Sequence, residues 1–199
     1  KSERLTIITK DYLTKNPRNM LIVTPLNEDR NALNSRIREA LKEKGRLKGK
    51  EHAFITREPK GLNSVQKHFA QSYYVGDSII VSKAGNGLRA GRSGMVTDVD
   101  QHNHKLTVEF SGRNGRETRT IDLKTAGQTV SVFSRKITRF MKNERVIFLK
   151  NDKSLRVKNG ETGTIRDVDE KGNFSLKTDS GKTVEFNVKE YNFIGHAYA

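Results

Sequence analysis

Ten residues near the C-terminus, Gly160-Glu161-Thr162-Gly163-Thr164-Ile165-Arg166-Asp167-Val168-Asp169, have an earlier counterpart in Gly91-Arg92-Ser93-Gly94-Met95-Val96-Thr97-Asp98-Val99-Asp100. Both read G-x-x-G, an alternating stretch, then Asp-Val-Asp. Internal self-similarity constrains a fold more than any single motif, because each copy must be one structural unit. The match extends outward. Asp77 to Val81 pairs with Glu144 to Phe148, and Leu88-Arg89 pairs with Leu155-Arg156, after which the second copy carries two extra residues. Leu106 to Phe110 pairs with Phe174 to Thr178, and Thr118 to Leu123 with Thr183 to Val188.

Each copy therefore predicts about four short strands with turn signals between them, the pattern of a small barrel or sandwich. Leu106, Val108 and Phe110 alternate with polar residues, as do Val184, Phe186 and Val188, so each strand has one buried face. The paired glycines sit at positive φ or at close backbone approaches, or are plain turn glycines. The Asp-Val-Asp carboxylates are read as turn initiators rather than an acid–base pair.

The N-terminal third has a different period. Leu5, Ile8 and Tyr12 predict a helix over Glu3 to Lys15, ended by Asn16-Pro17. Met20 to Val23 reads as a strand buried on both faces. A second helix follows, with Asn27 as N-cap, Glu28 and Asp29 in its first turn, Leu33, Ile37 and Leu41 as its stripe, and Gly45 as its close. Helix, strand, helix is one slice of an α/β layer, expected to belong to a parallel sheet whose other strands lie elsewhere. Ala53 to Thr56 predicts a short strand. Asn63 to Gln71 predicts a short helix using Val65 and Phe69, and Thr129 to Ser134 a closing strand for the first unit. The expected class is α+β. A partial α/β slice with linker spans residues 1–60, a first small barrel unit 61–134, and a second 135–199. Lys1-Ser2 without an initiator Met suggests an excised fragment.

With 199 residues, net charge +15 and only 33% hydrophobic residues, the cores must be small and the partner polyanionic. Nucleic acid comes first and an anionic membrane surface second. No apolar run approaches the roughly 18 residues of a membrane span. The absence of cysteine removes disulfides and thiolate metal sites. Gly45-Arg46-Leu47-Lys48-Gly49-Lys50-Glu51 is one residue short of a phosphate loop and lacks its hydroxyl. His102-x-His104 has no third ligand, and His52, His68 and His196 stand alone. No catalytic set and no cofactor is expected for this chain. The basic loops remain: Arg89, Arg92, Arg113, Arg116 and Arg119 in the first copy, and Lys150, Lys153, Arg156 and Lys158 in the second. They are read as phosphate contacts for nucleic acid, or as a solvated basic surface.

In its whole order the chain resembles the C-terminal half of a superfamily 1B helicase of the RecD/Dda type. More narrowly, it is similar to the helicase regions of TraI-type (MobF) conjugative relaxase-helicases. The resemblance rests on Met20-Leu21-Ile22-Val23-Thr24-Pro25 leading into a helix with Asn34 and Arg38, and on Tyr73-Tyr74-Val75-Gly76-Asp77. It rests also on two inserts, the second with Asn151-Asp152 and Asn159-Gly160-Glu161-Thr162-Gly163; the resemblance implies that residues 1–60 are a helicase-core slice and that the two barrel units are SH3-like. The chain stops at His196-Ala197-Tyr198-Ala199, where such a helicase runs into Thr-x-His-x-x-Gln-Gly.

This resemblance implies a parent with relaxase and ATP- and magnesium-dependent helicase activity. The parent would be cytoplasmic in the donor cell and exported through a type IV secretion system. It further implies that this region binds single-stranded DNA and carries a translocation signal read by the coupling protein. The best match to the family signal is Asn143-Glu144-Arg145-Val146-Ile147-Phe148, which lacks the signal's glycine and second arginine. Two other readings are a wedge or clamp insert of an active 5'–3' helicase, and a free-standing tandem KOW/SH3-like RNA-binding module.

Overall fold

The alternation in both copies becomes antiparallel sheet. The computed structural model describes residues 2–14, 22–24, 26–85, 87–112 and 115–199, and falls into two units, Lys1–Thr56 with Ile137–Ala199 and Arg57–Lys136. One sheet has the order β1-β6-β2-β3-β4-β5, built from β1 (Lys48–Pro59), β2 (Ser78–Val81), β3 (Ser93–Asp100), β4 (Lys105–Gly112), β5 (Gly115–Asp122) and β6 (Val130–Lys142). The other has the order β10-β9-β8-β7-β11, from β7 (Arg145–Phe148), β8 (Thr162–Val168), β9 (Asn173–Thr178), β10 (Thr183–Asn187) and β11 (Ile194–His196). Strands β1 and β6 each contribute residues to both units.

Neither sheet closes on itself, so the expected SH3-like barrels are not formed. Closure needs first and last strands long and staggered enough to pair. Here β11 has three residues and pairs only with β7, while β10 remains at the opposite edge. In place of closure, residues from outside the strands of each duplicated copy fill the apolar side, Phe54 of β1 and Phe140 of β6 among them. In the Arg57–Lys136 unit, Ala70 and Tyr73, together with Leu123 and Ala126 of the short helix α3 (Leu123–Ala126), join Val96, Leu106, Val108 and Phe110 in one core. In the other unit, Phe54 and Phe140 meet Phe174 edge-on at 5.5 and 5.3 Å, and Tyr191 packs on Phe148 and Phe186.

The duplication is reproduced bond for bond. Gly91 N donates to Val81 O at 2.8 Å, as Gly160 N donates to Phe148 O at 2.8 Å. Val96 N donates to Asp77 O at 2.8 Å, and Ile165 N to Glu144 O at 2.9 Å. Both copies slip register by one residue at the same place, between Val96 and Asp98 and between Ile165 and Asp167. The first glycine of each motif has positive φ, +82° at Gly91 and +86° at Gly160. The second is a close approach. A Cβ on Gly94 would lie 2.8 Å from Glu109 O, and one on Gly163 2.8 Å from Lys177 O. The last aspartate of each copy holds a turn. Asp100 accepts from Asn103 N and Nδ2, and Asp169 from Asn173 N and Nδ2.

Helix α1 (Ser2–Thr14) and helix α2 (Asn27–Glu43) belong to the unit that contains the second copy. Leu5 and Tyr12 of α1 and Leu33, Ile37 and Leu41 of α2 are buried with Leu47, Met141 and Tyr198, the expected stripes finding one another. Leu26, not Asn27, is the N-cap of α2, with extended backbone and no side-chain cap. Gly45, at φ +63°, follows the helix. Of the expected strand, Met20 and Leu21 lie outside the described residues, as do Asn16-Pro17, and Ile22 to Thr24 form no regular element. The pairings among β2 to β6 and among β7 to β11 are antiparallel, so the parallel sheet to which the slice was expected to belong would need strands other than these.

Two further expectations change. The predicted Ala53–Thr56 strand is part of the twelve-residue β1. The predicted Asn63–Gln71 helix is two single 3₁₀ turns, Gln66–His68 and Ala70–Ser72, with Val65 and Phe69 exposed. Two apolar residues four apart were too little to hold an α-helix of that length without a covered face.

Candidate functional site

The basic residues of the first copy are held largely by neighbouring acids. Arg92 Nη2 is 2.8 Å from Glu117 Oε2, with its guanidinium 4.7 Å over the Phe110 ring. Arg119 bonds the other Glu117 oxygen, and Arg116 Nη1 reaches Glu109 at 3.1 Å. Hydrogen bonds from Arg119 and then Arg92 hold the Glu117 carboxyl below its ordinary range. Arg89 is exposed, and Arg113 lies outside the described residues. The charge density expected of a phosphate track is thus reduced by two glutamates on the same surface.

The second copy spends its motif on turns. Asp152 Oδ1 accepts from Ser154 N, Leu155 N and Ser154 Oγ at 2.6–3.0 Å. Burial would raise this carboxyl, but those hydrogen bonds lower it. Asn151 Oδ1 accepts from Asn159 N at 2.7 Å, joining the two halves of the Asn-Asp and Asn-Gly-Glu-x-Gly pattern. Glu161 accepts from Lys158 N and Ser180 Oγ and pairs with Lys182. Lys153, Arg156 and Lys158 are exposed, Arg156 at φ +55°. Lys150 is half-buried, its ammonium 4.9 Å over the Phe193 ring, and burial pushes its pKa down.

None of the six residues of the expected signal is predominantly exposed. Val146 and Phe148 are fully buried, as their alternation requires, and Ile147 is half-buried. Asn143 is half-buried at φ +74° and donates through Nδ2 to Arg46 O at 3.2 Å. Arg145 is half-buried and holds both oxygens of Asp179 at 2.7 Å. Those hydrogen bonds raise the Arg145 pKa further.

Glu144 is fully buried and organises a cluster that no local pattern announces. Its Oε1 accepts from Arg38 Nε at 2.6 Å, and its Oε2 lies 3.1 Å from His196 Nε2. Arg38 also donates to Glu51 at 2.8 Å. Burial disfavours the Arg38 cation, but Glu144 and Glu51 outweigh it and raise the pKa, while the Arg38 hydrogen bond lowers that of Glu51. One turn earlier on α2, Asn34 Oδ1 accepts from Tyr198 N at 3.0 Å and Ala199 N at 2.9 Å. The Tyr198 hydroxyl is buried, and burial and then the Glu144 charge raise its pKa.

The Gly45–Glu51 stretch runs from the C-terminal end of α2 into β1. A phosphate loop feeds a helix N-terminus, where backbone N–H groups meet the anion, so these residues do not fit a nucleotide. Among the described residues no group of three or more His, Asp or Glu could hold a metal, and no helix is long and apolar enough to cross a membrane. No protein-family model matches the chain, and no curated protein matches it in sequence.

Proposed function

We propose that this chain is a non-catalytic region of a conjugative relaxase-helicase of the TraI type. In this reading it binds single-stranded DNA and carries an internal translocation signal for the type IV secretion coupling protein. One observation supports the reading most. Asn34 and Arg38, two marks of the resemblance, are bonded to Tyr198, Ala199 and Glu144, which lie at its other marks. The separations are 164, 165 and 106 residues. A chance order of motifs gives no reason for its members to meet in one buried network. ATP and magnesium belong to the parent in this reading.

Fluorescence anisotropy with labelled oligothymidylate and oligouridylate over a salt series tests the DNA part. The expected result is weak binding that falls steeply with salt, because cationic contacts release counterions, with DNA bound at least as tightly as RNA. Salt-independent binding, or a clear preference for RNA, would overturn it. The signal is tested with the exchange Arg145→Glu/Asp179→Arg, which retains an ion pair while inverting its polarity. Delivery of a fused reporter to recipient cells should fall. Undiminished delivery by the folded variant removes this edge from the signal.

A further inference from the structure

The loop arginines named above are not the strongest nucleic-acid feature of the Arg57–Lys136 unit. Tyr74 is 64% exposed and Val75 66%, in a tight turn ahead of β2. The turn is rigid. Tyr74 N donates to Asp77 Oδ2 at 2.9 Å, Asp77 N to Tyr74 O at 3.0 Å, and Gly76 N to Val96 O at 2.8 Å. Gly76 has φ +91°, which a side chain would strain. Lys60 Nζ lies 4.2 Å over the Tyr74 ring while bonded to Asp77 Oδ2 and Ser72 O at 2.9 and 2.7 Å. One ring face is thus backed by a fixed cation, and the residue remains mostly open to solvent.

Two guanidiniums flank the same turn. Arg57 Nη1 donates to Gly76 O at 2.9 Å, and Arg135 Cδ would be 3.9 Å from a Cβ on Gly76. Among the described residues neither makes an ion pair with a carboxylate. Burial and then the nearby Arg135 lower the Arg57 pKa, against the smaller opposing effect of Asp77. The second copy provides a control. Its residue equivalent to Tyr74 is Met141, which is buried among α1 and α2 residues, and its buried carboxylate Glu144 is held by Arg38 of α2. In the first copy the equivalent residue, Tyr74, is exposed.

Resting on the single-stranded DNA reading above, we infer that Tyr74 is a base-stacking platform and that Arg57 and Arg135 take the adjoining phosphate. An exposed ring with a cationic rim suits a base and its backbone charge together, and stacking accepts any base.

The test is anisotropy with a labelled oligothymidylate of about twelve nucleotides and its abasic counterpart, using the whole chain. Tyr74→Ala should weaken binding about tenfold with its salt slope unchanged, and Tyr74→Phe should restore it. The Tyr74→Ala loss should vanish on the abasic strand. Arg135→Ala should weaken both strands and reduce the salt slope by about one. The chain has no tryptophan, so Tyr74→Trp supplies a single indole whose emission should quench on binding. If the wild-type protein binds but Tyr74→Ala binds equally well and Tyr74→Trp does not quench, the platform is overturned while the broader DNA reading stands. If the wild-type protein does not bind, both fall. Unchanged melting temperatures separate these effects from unfolding.

Discussion

The two copies share their backbone hydrogen bonds, bulge and glycine roles, yet they treat the carboxylate at their first strand differently. Asp77, 4% exposed, takes a lysine from its own unit, Lys60 at 2.9 Å. Glu144, completely buried, takes Arg38 from α2 at 2.6 Å and faces His196 as well. The equivalent hydrogen bonds, Val96 N to Asp77 O and Ile165 N to Glu144 O, show that the frame is the same. A duplicated frame can therefore be specialised by what covers one corner. In the second copy helices cover it and Met141 is buried; in the first Tyr74 remains in water.

Breaking the two carboxylate pairs should give the largest and most unequal effects. Arg38→Ala leaves Glu144 buried without its cation and should cost about 3–5 kcal/mol in urea denaturation. Lys60→Ala should cost less, because Asp77 retains the backbone donor Tyr74 N next to solvent. Equal costs would mean that the helical cover adds nothing to the second copy.

The glycine pairs test the shared frame. Gly94→Ala and Gly163→Ala should each destabilise by about 1–3 kcal/mol, since the new methyl meets carbonyl oxygens at 2.8 Å. Gly91→Ala and Gly160→Ala have open space but positive φ, and should cost about 1 kcal/mol. Thermal melts that rank the second pair above the first would show that backbone conformation, not close approach, governs the motif.

The smallest effect concerns the turn that distinguishes the second copy. Asp152 is held below the ordinary aspartate value of 3.8. Below that value the unfolded chain binds more protons than the folded one, so stability rises with pH there. The contribution is complete above about pH 4 and is lost as pH falls through the depressed folded value. Asp152→Asn should flatten the acid limb of a stability-against-pH curve and leave its neutral limb parallel to the wild type. An unchanged acid limb would show that the Asp152 turn contributes no pH dependence.

Much of this was legible in the residues. The duplication, the strand faces and the stripes of α1 and α2 follow from periods of two and 3.6, which are local rules. The glycines were legible as a pair of constraints, and the structure separated them into a positive-φ position and a close approach. Closure was misread because alternation tells only that a strand has one buried face. It does not tell whether a strand of the same copy or a residue from outside that copy's strands, such as Phe54 or Leu123, covers that face. The same limit applies to the basic loops, since Arg119 reaches Glu117 along β5 but only the fold brings Arg92 to it.

By itself the sequence determined which residues point inward, where the backbone must turn, and that the chain carries a large positive charge. Only the tertiary structure decided that Glu144 is a buried anchor held by Arg38, and that Tyr74 is exposed where Met141 is not. The physical reason is distance along the chain. Propensity and periodicity act over a few residues, whereas the Arg38–Glu144 and Asn34–Tyr198 contacts join segments 106 and 164 residues apart. Whether a charge is desolvated, paired or left in water depends on such contacts.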